Sequence, residues 1–175
     1  LIVESVIPNV RKIQSVLEYV IKKGKSLLII ADVDQQVVSA LSMNKSKGNI
    51  KVNIIDAPVY GISKKDTLND LCAVTGATLI NEDLGDDMDV ISHEHLGSCL
   101  KVVTNHEETI MKVDISNNKD VEDITNLLET QIKETKNPNL IIRLEGRLAK
   151  LKAKVATVKI GANSELELKE KRDRV

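Results

Sequence analysis

The sequence has almost no aromatic residues: no Trp, no Phe and two Tyr among 175 residues. Any core must therefore be built from Ile, Val, Leu and Ala. No excess of charge of either sign is present, because 25 Lys and Arg stand against 26 Asp and Glu, a net charge of −1. That balance removes the electrostatic case for a nucleic acid or an anionic membrane as partner. No apolar run reaches the ~18 residues needed to span a bilayer. Only two cysteines occur, Cys72 and Cys99. They lack metal-ligand spacing, so buried or half-buried thiols in a reducing compartment are expected. A signal-peptide pattern and an initiating Met are both missing. The chain opens on "LIVES" as if inside a strand, the pattern expected of a fragment.

What is present is enough apolar residue for a core, 42% of the chain, arranged with clear periodicity. In "PNVRKIQSVLEYVIKKGK" Val10, Ile13, Leu17, Val20 and Ile21 recur at helical spacing. Gly24 closes that helix, and Lys22 and Lys23 sit favourably in its last turn. "SLLIIA" follows as a buried strand, Leu27 to Ala31. "DVDQQVVSALSMNKSKG" forms a second helix with Val37, Val38 and Leu41 apolar, stopped near Gly48. Ile50 to Asp56 is the next strand, "KKDTLNDLCAVTG" the next helix, and "TLIN" a short strand. "LKVVTN" and "TIMKV" are expected to pair as a hairpin around "HEE", and the acidic "GDDMDVIS" to be a mobile surface loop.

From Asp120, expected as an N-cap, Val121, Ile124, Leu128 and Ile132 share one helix face. "NPN" breaks that helix and "LIIRLEGRLAKLKAK" continues as its partner. Strands alternating with helices imply an α/β domain with a mostly parallel central sheet and a C-terminal helical hairpin along one side.

Candidate chemistry is sparse. The strand, turn and basic helix start in "NIIDAPVYGISKK" suggest a phosphate cradle, but such a cradle needs several glycines and a Lys followed by Ser or Thr. Here there is one Gly, and Lys64 is followed by Lys65. His93 and His95 are two apart, so on a helix they diverge instead of sharing a metal; a surface helix start fits them better. His106 is expected to be solvated in the hairpin turn. G-x-S-x-G is absent, and no other nucleophile arrangement stands out. From the residues alone nothing performs chemistry, and the two early helices offer apolar surface to a partner.

Three segments then carry a resemblance: "KKGKSLLIIADVDQQVVSAL", "NIKVNIIDAPVYGISKKDTLNDLCAVTGATLINEDLG" and "RLAKLKAKVATVKIGANSELELKEKRDRV". In order and with nearly ungapped spacing, they resemble the group I chaperonins (the GroEL type) across essentially the whole chain. The resemblance implies an apical domain over 1–154, of the swivelling β/β/α type, and the start of the intermediate domain over 155–175. It implies capture of non-native polypeptides and of the mobile loop of a GroES-type co-chaperonin in a groove between the first two helices. Carried over by position, the groove residues are Gln14, Leu17, Val38, Ser42, Met43 and Asn44, with Leu17, Val38 and Met43 facing solvent. Glu165 would touch a neighbouring subunit of a ring.

Ala153 and Lys154 stand at the interdomain hinge, where the family usually has Gly-Gly; the missing latitude bears on how freely such a domain swings. ATP and Mg would belong to an equatorial domain outside this chain, so the segment itself is expected to hydrolyse nothing, to bind no metal and to contact no nucleic acid or membrane. The implied location is the cytoplasm of a bacterial or phage system, or else a mitochondrial matrix or plastid stroma. Gln14 and Ser42 are polar where the family is usually aliphatic, which leaves open a scaffold serving one dedicated partner. A small-molecule domain, motivated by the loop after Asp56, is a further alternative.

Overall fold

A computed structural model describes residues 1–57, 62–105, 108–153 and 155–159, with Ile62 and 155–159 described by backbone alone. Four short strands, β1 (Ile2–Val3), β2 (Ser26–Ile30), β3 (Lys51–Ile55) and β4 (Leu79–Ile80), form a parallel sheet in the order β3-β2-β1-β4. Parallel neighbours cannot be joined by a tight turn, so each needs a crossover. These are helices α1 (Gln14–Lys23), α2 (Gln35–Ser46) and α3 (Ile62–Thr75). Because right-handed crossovers dominate, a chain stepping from β1 to β2 to β3 puts two helices on one face, and stepping back to β4 puts the third on the other.

The side chains follow that rule. Val3, Leu27, Ile29 and Val52 pack with Val16, Leu17 and Val20 of α1 and with Val37 and Leu41 of α2. The alternate residues Ile2, Ile30 and Ile55 pack with Leu68 and Leu71 of α3. Period-two alternation thus divides one apolar strand between two cores, which is why β2 is apolar at almost every position.

The element boundaries agree with the sequence to within a few residues, with three informative exceptions. Val10–Ile13 is a tight 3-10 turn leading into α1. The acidic segment is not a mobile loop: Met88 and Ile91 are anchored in the α1–α2 core, 0% and 2% exposed, and Lys12 bridges Asp89 at 2.7 Å. Two apolar residues three apart hold a stretch whose other residues are solvated. Finally, Asn118 and not Asp120 caps α4 (Lys119–Glu134), its Oδ1 accepting from the Val121 amide while its Nδ2 donates to the Ala73 carbonyl. The Asn carboxamide carries both a donor and an acceptor and so satisfies the two backbones at once, which an ionised Asp cannot do.

A second sheet, antiparallel in the order β5-β6-β7, comprises Lys101–Thr104, Glu108–Lys112 and Val155–Lys159. The expected hairpin is therefore present, while its turn and His106 lie outside the described residues. Met111 buries against the α3 face, and Asn53 of β3 donates to the Thr104 hydroxyl at 3.3 Å. α4 and α5 (Pro138–Lys152) make the helical hairpin, packed on Ala73 and Val74 through Val121, Leu128, Leu144 and Leu151. Arg147 forks onto Asp70 at 2.8 and 2.9 Å and reaches Asp66 at 3.2 Å, while Arg143 meets Asp66 at 2.7 Å.

The fork predicts an asymmetry between the two arginines. Arg147→Ala should lower unfolding free energy by about 1–3 kcal/mol, because it strands the Asp70 carboxylate, 14% exposed, while Asp66 keeps Arg143. Arg143→Ala, whose partner is more exposed to water, should cost under about 1 kcal/mol. Urea denaturation reads both, and equal costs would contradict the burial argument.

Candidate functional site

The parallel sheet sets the direction of its helices. α1 and α2 both run antiparallel to it, lie on the same face, and end at the edge where the strands begin. α1 stops at Gly24, whose φ of 63° is left-handed, so the amides of Gly24 and Lys25 return to the carbonyls of Ile21 and Val20. α2 starts at Asp34, which accepts from the Gln36 amide at 2.8 Å.

On these helices Gln14, Ser42, Met43 and Asn44 are exposed and Val38 is half-buried. Leu17 is not a surface residue: it is 7% exposed and belongs to the core beneath α1. The expectation that it faces solvent is corrected here. The physical reason is that Val16, Leu17 and Val20 together form the face turned to β1 and β2. The apolar side chain that α1 does expose is Ile21, at 52%, and α2 exposes Met43, at 59%. Ile21 belongs to the same periodic set as Leu17, and spacing alone does not tell the two apart. Gln14 donates to Glu18 at 2.7 Å, so its amide is engaged along the helix surface. Asn44 donates back to the Ala40 carbonyl at 2.9 Å.

On the flank of α1 opposite Ile21, Tyr19 stacks on His93, ring centroids 4.8 Å apart. His93–His95 is a single 3-10 turn capped by Ser92, whose amide donates to His95 Nδ1 at 3.0 Å. The expected helix start is only this one turn, because the chain runs on from Leu96 in an extended conformation. Among the described residues no group of three or more His, Cys, Asp or Glu is arranged to hold a metal ion.

An open α/β sheet binds ligands where the strand order reverses, here between the ends of β1 and β4. That crevice is filled by the protein's own side chains. Asn81 donates to Glu4 at 2.7 Å, Ser5 Oγ accepts from the Glu82 amide at 2.9 Å, and Asp86 accepts from the Asn81 amide at 2.9 Å. Carboxylates and a closed network do not fit a nucleotide phosphate. The Pro58–Gly61 turn, Lys154 and Glu165 lie outside the described residues. Ala153 ends α5 in an extended conformation, its amide bonded to Ala149.

A comparison with protein families finds no match. Among solved structures the chain is similar to the chaperonin gp146 of bacteriophage EL 2 (Pseudomonas aeruginosa), crystallised in the presence of ATP-BeFx, with a TM-score of 0.56 and 16% sequence identity. The similarity covers 98% of this chain and 35% of that one. The fold is chaperonin-like. The chain spans about a third of the length of that chaperonin, and none of its described helices is long and apolar enough to cross a membrane.

Within this chaperonin-like fold Cys72 is half-buried and Cys99 is exposed, so the expectation of two sheltered thiols holds for Cys72 alone. The segment carrying Cys99 is pinned by a close approach: a Cβ on Gly97 would meet Thr75 Oγ1 at 2.7 Å and Ala77 Cβ at 2.8 Å. Only glycine fits there. Burial pushes the Cys72 thiol up to about 11, against 9.0 for an ordinary thiol. The folded state therefore binds this proton more tightly than the unfolded chain. The associated stability should be complete below pH 9 and decline as pH rises toward 11. Cys72→Ala should flatten that decline in thermal melts taken across this range, and an unchanged decline would exclude Cys72 as its source. Leu17→Ala should cost about 2–4 kcal/mol in urea denaturation, the penalty of a core cavity. A cost near zero would return Leu17 to the surface.

Proposed function

We propose that this chain is the apical domain of a folding chaperonin of the GroEL type, with 1–154 as that domain and 155–175 opening the intermediate domain. α1 and α2 form its binding face for non-native polypeptides and for the mobile loop of a GroES-type co-chaperonin. The observation that carries this reading is the pair of exposed apolar side chains, Met43 and Ile21, on the two helices that share one sheet face. Apolar surface of this kind recovers about 25 cal/mol per Å² when covered and requires no particular partner sequence. Met43 is unbranched and adapts to partners of different shape. Val38, half-buried, lines the base of that surface, and Gln14, Ser42 and Asn44 give it polar edges.

In this reading the segment turns over no substrate. ATP and Mg act in another part of the chaperonin, Glu165 meets a sister subunit of the ring, and Ala153–Lys154 form the corner between domains. β7 pairs with β6 in the small sheet immediately after that corner. A single face of this size binds with micromolar or weaker affinity, and a ring of copies raises it through multivalency.

Exposed Gln14 and Ser42 favour one alternative, a chaperonin-derived scaffold with a single dedicated partner. The test is capture of chemically unfolded proteins of unrelated sequence, read by suppression of their aggregation. The apical reading expects capture of all of them, the scaffold reading of none. Met43→Glu should abolish capture while moving the thermal midpoint by less than about 2 °C, as expected for a surface change. Undiminished capture by Met43→Glu would remove α2 from the binding face.

A further inference from the structure

The binding face has a charge pattern that an unselective apolar surface does not need. α1 and α2 end at the same edge of the sheet, the edge where β2 and β3 begin. That edge gathers Lys22 and Lys23 in the last turn of α1, Lys25 just before β2, Lys45 and Lys47 at the end of α2, and Lys51 opening β3 opposite Ser26. All six are exposed, and none forms an ion pair among the described residues. The stretches 19–31 and 35–55 contain no Asp or Glu at all, in a chain whose overall charge is −1. Helix dipoles account for lysines in the last turns of α1 and α2. They do not account for Lys51, which opens β3, and Lys25 lies past the last turn of α1. Ile21 and Met43, the exposed apolar residues of the two helices, each lie within two residues of such a lysine, Lys22 and Lys45.

We infer that this edge selects acidic polypeptide segments that carry aliphatic side chains. Ile21 and Met43 cover the aliphatic groups and the six lysines meet the carboxylates. The inference rests on the apical reading of the same face and narrows its partner class. Charge complementarity at exposed lysines acts chiefly through encounter and is screened by salt. That separates it from apolar contact, which salt leaves intact.

The experiment uses the full chain and three length-matched fluorescent peptides, alternating Leu with Glu, with Ser or with Lys, read by anisotropy. The Glu–Leu peptide should bind at least about tenfold more tightly than the Ser–Leu peptide at about 0.05 M salt, and that advantage should largely vanish by about 0.5 M. Lys22→Glu with Lys45→Glu should invert the preference toward the Lys–Leu peptide while the domain stays folded, its thermal midpoint falling only by the few degrees expected for two reversed charges at helix C-termini. Equal binding of the Glu–Leu and Ser–Leu peptides would overturn this inference and leave the apical reading standing. Binding of none of the three would overturn both. Displacement of the Glu–Leu peptide by single-stranded oligothymidylate at equal charge concentration would also overturn it, by showing a general polyanion surface.

Discussion

Everything in this molecule depends on the burial of one short parallel sheet on both of its faces. β2 carries the constraint in its plainest form, sending Leu27 and Ile29 to one core and Leu28 and Ile30 to the other. Each fully buried side chain of this type contributes about 1.5–3 kcal/mol, so exposing either face would undo the domain. The handedness of the crossovers then leaves no choice over where α1, α2 and α3 go. The proposed binding face follows from that placement, because two helices on the same side of a sheet present adjacent outer surfaces.

The opposite face carries the attachments. α3 receives the small sheet through Met111 and the helical hairpin through Ala73, Val74 and the Arg147 fork on Asp66 and Asp70. Asn118 adds a bond from the start of α4 to the Ala73 carbonyl near the end of α3. Among the described residues these anchors lie on the α3 side of the sheet, and α1 is met on its flank by the turn that stacks His93 on Tyr19. A domain built this way can offer one helix pair to a partner while its structural contacts are made elsewhere. The filled crevice between β1 and β4 fits the same division, since the position where a nucleotide would sit in an open α/β sheet is occupied by Glu4, Ser5 and Asn81.

The order and type of the elements were legible in the sequence because apolar spacing changes cleanly from period two to period 3.6 at each boundary. Candidate surface residues were legible only in part. Gln14, Ser42, Met43 and Asn44 are on the surface, but Leu17, expected there, is in the core, and the exposed apolar residue of α1 is Ile21. Both fit the same amphipathic stripe, and a stripe wider than the contact with the sheet must leave one flank outside. Met88 and Ile91 were hidden for a related reason: flanking aspartates dominate the local composition, and two isolated apolar residues carry no period.

By itself the sequence determined that this is an alternating α/β chain with an aliphatic core, a near-neutral charge and a helical hairpin at its end. Those properties are local or additive, and neighbouring residues suffice to encode them. The tertiary structure alone decided which apolar residues of α1 face water, which Asn caps α4 while bonding α3, and that six lysines distant in sequence share one edge. Each of these depends on strand order and crossover hand, which bring together residues that no window along the chain contains.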